Sequence, residues 1–158
     1  MIKREKIRTI SMILFVIYMV VLVYFLLLSD NFGRTNVYQE YNYNLIPFKE
    51  IKRFIVYRRS LSPMTVFVNL FGNVLAFMPF GALIRWVRNK KTTCMQAVFY
   101  TFSFSLCVEL LQLITKAGIC DVDDLILNTF GGFLGYMLYL MLRGINKRRE
   151  KNGNQKGL

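Results

Sequence analysis

Apolar residues gather in four runs along the chain: Ile10 to Leu28, Val66 to Ile84, Met95 to Ile114 and Leu125 to Leu142. Each approaches the roughly 20 helical residues needed to cross the hydrocarbon layer of a bilayer. A chain of 158 residues has no polar shell able to wrap four such helices in a soluble core. The pattern predicts an all-α membrane protein, a four-transmembrane-helix bundle. The first run follows Lys3, Arg4, Lys6 and Arg8 and leads into Ser29-Asp30-Asn31-Phe32. It exceeds the ~7 to 15 residues of a signal-peptide core and lacks a small-residue cleavage site, so it reads as a retained anchor. Residues 1–150 are expected to form one integral membrane domain, and the polar stretch 151–158 a disordered tail.

Composition agrees: 54% of residues are hydrophobic and the mean hydropathy is +0.37. The 21 Lys+Arg against 9 Asp+Glu give a net charge of +12, which by itself would suit nucleic acid. The basic residues lie between the apolar runs, not along one stripe, and this argues against a nucleic acid partner. The amino end carries four of them. The second connection carries four more (Arg85, Arg88, Lys90, Lys91) and the tail six, together 14 of the 21. By the positive-inside rule both termini and the second connection face the cytoplasm, so spans one and three run outward and spans two and four inward. Cys94, Cys107 and Cys120 suggest no disulfide pair. The absence of histidine removes the commonest proton shuttle and zinc ligand, and neither metal nor cofactor is expected.

The longest connection, Ser29 to Thr65, holds Tyr38, Tyr41 and Tyr43, then Asn44 to Phe48, then a mixed stretch from Lys49 to Arg59. There Phe48, Ile51 and Ile55, with Phe54, recur at helical spacing, and Lys49, Lys52, Arg53 and Arg59 fall mostly on the other side. Pro47 suits the first helical turn. A basic amphipathic helix beside a membrane lies flat at the interface, and Lys49, Lys52 and Arg53 are the expected lipid or phosphate contacts. The alternative is that they snorkel beside a lid that covers the bundle.

A charge in the middle of a span costs ~2.5 to 3.5 kcal/mol, so polar residues there face protein or water. Asn69, Gly72, Asn73 and Ala76 share a face of the second span by i, i+3, i+4, i+7 spacing. Ser105, Glu109, Gln112 and Lys116 do so in the third, and Asp124, Asn128, Gly131 and Gly135 in the fourth. At 1.5 Å per residue, Asn69, Asn73, Glu109, Gln112, Asp124 and Asn128 all fall within roughly 10 Å of the outer helix ends. They are expected to form one layer. Asp121 and Asp124 have acidic capping-box spacing before an apolar run, with Asp123 between them turned to water or to a basic residue. Pro79 leaves the carbonyl near Leu75 in need of another partner. The glycines of the fourth span allow close helix approach.

The segments NLIPF (Asn44 to Phe48), NLFGNVLAFMPFG (Asn69 to Gly81), ELLQ (Glu109 to Gln112) and DVDDLILNTFGGFLGY (Asp121 to Tyr136) together resemble the VanZ family, in order and across most of the chain. The resemblance implies a four-span protein of bacterial plasma membranes, associated with resistance to teicoplanin and tolerance of its lipid-tailed relatives. It maps motif positions onto Asn69, Gly72, Asn73, Pro79, Gly81, Glu109, Gln112, Asp121, Asp124 and Asn128. Many relatives carry an arginine shortly before the acidic cluster, where this chain has Gly118, with Lys116 nearby.

Three readings of the polar layer follow. As a ligand site, Asn69, Asn73, Glu109, Gln112, Asp121, Asp124 and Asn128 would line an outward-facing pocket for an envelope lipid, a lipid-linked wall precursor or a lipoglycopeptide. As an intramembrane enzyme, a desolvated Glu109 would act as general acid or base, with Asp124 as partner or Mg²⁺ ligand, on a lipid or wall substrate. Otherwise these side chains satisfy one another between helices, each bond contributing about 0.6 to 2 kcal/mol. Transport has the least support, because no inverted repeat is visible.

Overall fold

The computed structural model describes residues 2–28, 41–88, 92–116 and 118–156. Ser29 to Phe32, Tyr38, Lys90 and Lys91 lie outside the described residues. Helix α1 spans Ile2–Leu28, and a two-residue strand β1, Tyr43–Asn44, precedes the short helix α2, Lys49–Val56. The second span is composite: α3 (Pro63–Phe67), a π-helical turn (Val68–Gly72) and α4 (Asn73–Arg88). Then come α5 (Cys94–Thr115), β2 (Cys120–Asp121) and α6 (Val122–Lys156). Four stretches are long and apolar enough to cross a membrane: Thr9–Leu26, Pro63–Arg85, Cys94–Thr115 and Val122–Asn146. They coincide with the four apolar runs, and the fold is an all-α four-helix membrane bundle.

Backbone contact between α4 and α6 organises the bundle. A β-carbon on Gly131 would meet the Val74 carbonyl, and one on Gly135 the Met78 carbonyl. The equal increments, four residues on each helix, show that the two run in the same direction. Phe77, fully buried, packs with Leu22, Leu26 and Val108. Phe80, Ile84, Ala97 and Tyr136 form a second cluster, with the Phe80 and Phe104 rings stacked at 5.3 Å. A capping box starts α5: the Thr93 hydroxyl accepts from Gln96 N, and the Gln96 side chain accepts from Thr93 N. At that end of the bundle Tyr136 Oη donates to the Thr92 carbonyl (2.6 Å), and the Arg88 guanidinium lies 4.6 Å from the Tyr100 ring centre.

α1 is the least enclosed span, with Ile10, Val16 and Val20 more than half exposed, as befits a helix facing lipid. Hydrogen bonds tie it to the second and third spans. Tyr18 Oη donates to the Ala76 carbonyl (2.6 Å), one residue beyond the carbonyl that Pro79 was expected to free, and Gln112 Nε2 donates to the Leu26 carbonyl (2.8 Å).

One expectation is corrected at the carboxyl end. α6 continues through Lys156, so most of the stretch expected to be disordered is helical. Extending an existing helix carries no nucleation penalty, and this offsets the low helix propensity of Asn152, Gly153 and Asn154.

Candidate functional site

The acidic segment at the start of α6 ties the first connection to the bundle. β1 and β2 pair in parallel, Tyr43 opposite Cys120 and Asn44 opposite Asp121. Asp121 Oδ1 accepts from Asn44 Nδ2 (3.0 Å) and from Asp123 N (2.8 Å), while Asp121 N donates to Glu109 Oε2 (2.8 Å). The local bond to Asp123 N is the expected capping contact, and the bond to Asn44 adds a tie across 77 residues. Burial raises the Asp121 carboxyl above the usual aspartate range, opposed by the hydrogen bonds from Asp123 N and Asn44. The Cys120 thiol is likewise raised, by burial first and then by the negative charges of Glu109 and Asp121.

Asp123 corrects the sequence reading. It is 1% exposed, so it is turned away from water and onto backbone amides of the first connection. Its carboxylate accepts from Phe48 N, Glu50 N (2.8 Å) and Ile51 N (3.1 Å). The first amides of a helix lack internal partners, and Phe48, the N-cap of α2, has no side-chain acceptor to offer. Asp123 caps α2 from another helix, and the positive end of the α2 dipole favours its charge. α2 begins at Lys49, so Pro47 precedes the N-cap instead of occupying the first turn, and Phe48 takes a left-handed conformation (φ 64°). Phe54 is the buried residue of α2 with Ile51 half-buried, whereas Phe48 and Ile55 are exposed.

The remaining polar groups mostly bond one another. Asn73 Nδ2 donates to Asp124 Oδ1, and Asn128 Nδ2 donates to Ser105 Oγ (2.8 Å). Asn73, Glu109, Gln112, Asp121 and Asn128 are buried, and Asp124 is half-buried. Both carboxylates weighed for acid–base chemistry are engaged, Glu109 by a backbone amide and Asp124 by an asparagine. Two buried oxygens, Gln112 Oε1 and Asn128 Oδ1, lack a hydrogen-bond partner. Gly118 is buried against the Gln112 side chain. Lys116 is the left-handed C-cap of α5 (φ 55°), and its Nζ lies 4.6 Å from the Tyr41 ring centre.

Asn69 departs from the layer. It lies in the π turn, whose wider pitch breaks the spacing that would align it with Asn73. Its Nδ2 donates to the Thr65 carbonyl (2.8 Å), and its side chain lines a cavity of about 500 Å³ with Arg53, Phe54, Tyr57, Leu61 and Thr65. Lys49, Lys52 and Arg53 are exposed, and Arg53 pairs with Glu50 at 2.6 Å. Sequence spacing missed this cavity, because neither the π turn nor the fold-back between α2 and α3 leaves a periodic signal.

Comparison with known proteins accords with this architecture. The VanZ/LLP1 family model matches residues 15–143, a range that runs from within the first span to the end of the fourth. Protein VanZ of Enterococcus faecium is 31% identical over 147 residues, covering 92% of this chain and 78% of that protein. No solved structure matches. The match takes in the Asn44–Asp121 tie, the Glu109 contact, the Asp123 cap and the close glycine packing of α4 on α6, and on it this chain belongs to the VanZ/LLP1 family.

Proposed function

We propose that the protein is a bacterial plasma-membrane protein that gives tolerance of teicoplanin and its lipid-tailed relatives, through a phosphorylated envelope lipid or lipid-linked wall precursor held beneath α2 on the outer face. The observation that carries this reading is the three-amide cap from Asp123 to α2. It clamps a short helix bearing Lys49, Lys52 and Arg53 across the ends of the spans, with Ile55, Val56 and Tyr57 exposed beside them. A rigid, basic, partly apolar rim suits an anionic lipid surface better than water. The relative of similar sequence is named for VanZ, whose family is associated with teicoplanin resistance.

In this reading Glu109, Asp121, Asp123 and Asn44 hold the rim in place, and the basic side chains meet the ligand. The test is drug susceptibility of a deletion strain to teicoplanin, to lipid-tailed glycopeptides and to vancomycin, with complementation. Tolerance of the tailed drugs is expected to fall on deletion, and to return with the wild-type gene but not with Asp123→Ala. Equal susceptibility of deletion and wild-type strains to every drug would remove the reading.

A further inference from the structure

We propose that the cavity between α2 and the start of the second span binds the phosphate group of a membrane lipid, with Arg53 as its cationic contact and Asn69 as its hydrogen-bonding contact. This deepens the reading above and rests on its placement of α2 at a bilayer surface. At about 500 Å³ the cavity is within the range of small-ligand sites. Phe54 and Leu61 give it apolar walls, while Arg53, Thr65 and Asn69 supply polar groups. Such a lining suits an amphipathic molecule better than a free ion.

Three local features converge on this one space. Asp123 fixes α2, and with it the base of Arg53. The chain then folds back, with Ser60 N and Leu61 N both donating to the Tyr57 carbonyl, and restarts at Ser62, whose hydroxyl caps α3 by accepting from Thr65 N. The π turn directs Asn69 into the cavity instead of onto the Asn73 face. Such turns forgo regular helical hydrogen bonds and are found frequently at functional sites.

The donors match the chemistry. A guanidinium carries five N–H groups in a planar fork, and the Glu50 bond engages one Nη, so capacity remains for a phosphate. Asn69 Nδ2 carries two N–H groups, of which the bond to the Thr65 carbonyl takes one. Exposed Met64 and Phe67 beside the cavity are unfavourable in water, which sets its depth near the headgroup layer, where lipid phosphate is the abundant anion.

The test uses the full chain in an uncharged detergent, with thermal melting followed as phosphatidylglycerol, dioleoylglycerol or inorganic phosphate is added. Phosphatidylglycerol is expected to raise the melting temperature saturably, whereas dioleoylglycerol, with the same tails and no phosphate, is not. Arg53→Gln should weaken the apparent phosphatidylglycerol affinity roughly tenfold, the scale of a lost charge-assisted hydrogen bond. Arg53→Lys should weaken it less, and Arg143→Gln, exposed near the far end of the bundle, should leave it unchanged. Asn69→Leu supplies a second variant in the same cavity should Arg53→Gln melt abnormally without lipid. Wild-type affinity in both Arg53→Gln and Asn69→Leu overturns the proposal, as does an equal loss in Arg143→Gln, which would indicate diffuse charge attraction. Inorganic phosphate binding as tightly as the lipid would make this an ion site and overturn the lipid assignment. No saturable phosphatidylglycerol shift in the wild-type protein, with tolerance still lost on deletion, removes this inference alone; a deletion strain of unchanged susceptibility removes the tolerance reading and leaves lipid binding standing.

Discussion

The Asp123 carboxylate accepts a hydrogen bond from the backbone N–H of Phe48, 75 positions earlier in the chain. With the bonds from Glu50 N and Ile51 N, it makes the start of α6 the anchor of a helix in a different connection. A buried carboxylate holding three amides is costly to remove, because those amides then lose their partner at a helix end. Asp123→Ala is expected to cost about 3 kcal/mol, the upper range for a hydrogen bond to a charged group. The more direct readout is amide hydrogen exchange, which should accelerate at residues 48, 50 and 51 while the α4–α6 interface keeps its protection. Unchanged exchange at those three amides would mean that the cap does not hold α2.

Glycine substitutions separate packing from backbone freedom. A β-carbon on Gly81 would overlap the Gly132 carbonyl, whereas one on Gly144 meets nothing within 4 Å. Gly81→Ala is expected to destabilise by about 1 to 3 kcal/mol or more, through forced separation of α4 and α6. Gly144→Ala, in the same helix as Gly132, should stabilise by up to about 1 kcal/mol, the helix-propensity difference. Melting in detergent checks both, and equal effects of the two substitutions would discount the close approach of α4 and α6.

The Asp121 carboxyl gives a pH signature with a defined sign. Burial holds its folded-state pKa above the ordinary value of about 3.9. The folded state therefore takes up the proton more readily than the unfolded chain. The contribution of Asp121 to stability is fully present below about pH 3.9 and is lost as pH rises through the higher folded-state value. Asp121→Asn keeps an acceptor for Asn44 and for Asp123 N but cannot titrate. Its stability relative to wild type should therefore improve from acid toward neutral pH. A wild-type-to-mutant difference that stays flat across pH 4 to 7 would count against a raised Asp121.

Orientation is open to a separate check. The basic residues at both ends and in the second connection predict that both termini are cytoplasmic. A reporter active only in the cytoplasm should work at either end and fail within 57–62, the fold-back before the second span. Activity at 57–62 would invert the topology and place the Arg53 cavity on the inner leaflet.

The parts of this architecture visible in the sequence are those with a local or periodic origin. Run length gave the four spans, and small residues at helical spacing pointed to a close helix approach at Gly131 and Gly135, though not to α4 as the helix that approaches. The depth argument put Asn73 and Asp124, which bond each other, in one layer with Glu109, but it left Asp121, whose backbone N–H donates to Glu109, as a capping residue only. Contacts between distant segments were not visible. Asp123 looks from its neighbours like a solvated member of a capping segment, and nothing in the i, i+3 or i, i+4 pattern points to an amide 75 positions away. The β1–β2 pair is two residues long, too short for any alternation to announce it. Asn69 was misplaced because helical spacing assumes an unbroken α-helix, and the π turn breaks it. The carboxyl-terminal helix was missed because polarity was read as disorder, although even a polar segment such as Lys151 to Lys156 can continue a helix already formed without a new nucleation step.

The short parallel pairing of Tyr43–Asn44 with Cys120–Asp121 also has a consequence for biogenesis. The residues that pair with and cap the segment before the second span belong to the start of the last one. That segment emerges early in synthesis yet lacks its strand partner and its cap until the start of the final helix has been made. Closure of the rim is therefore the last event of assembly, and a chain truncated before Cys120 inserts three helices with the Arg53-bearing segment left undocked.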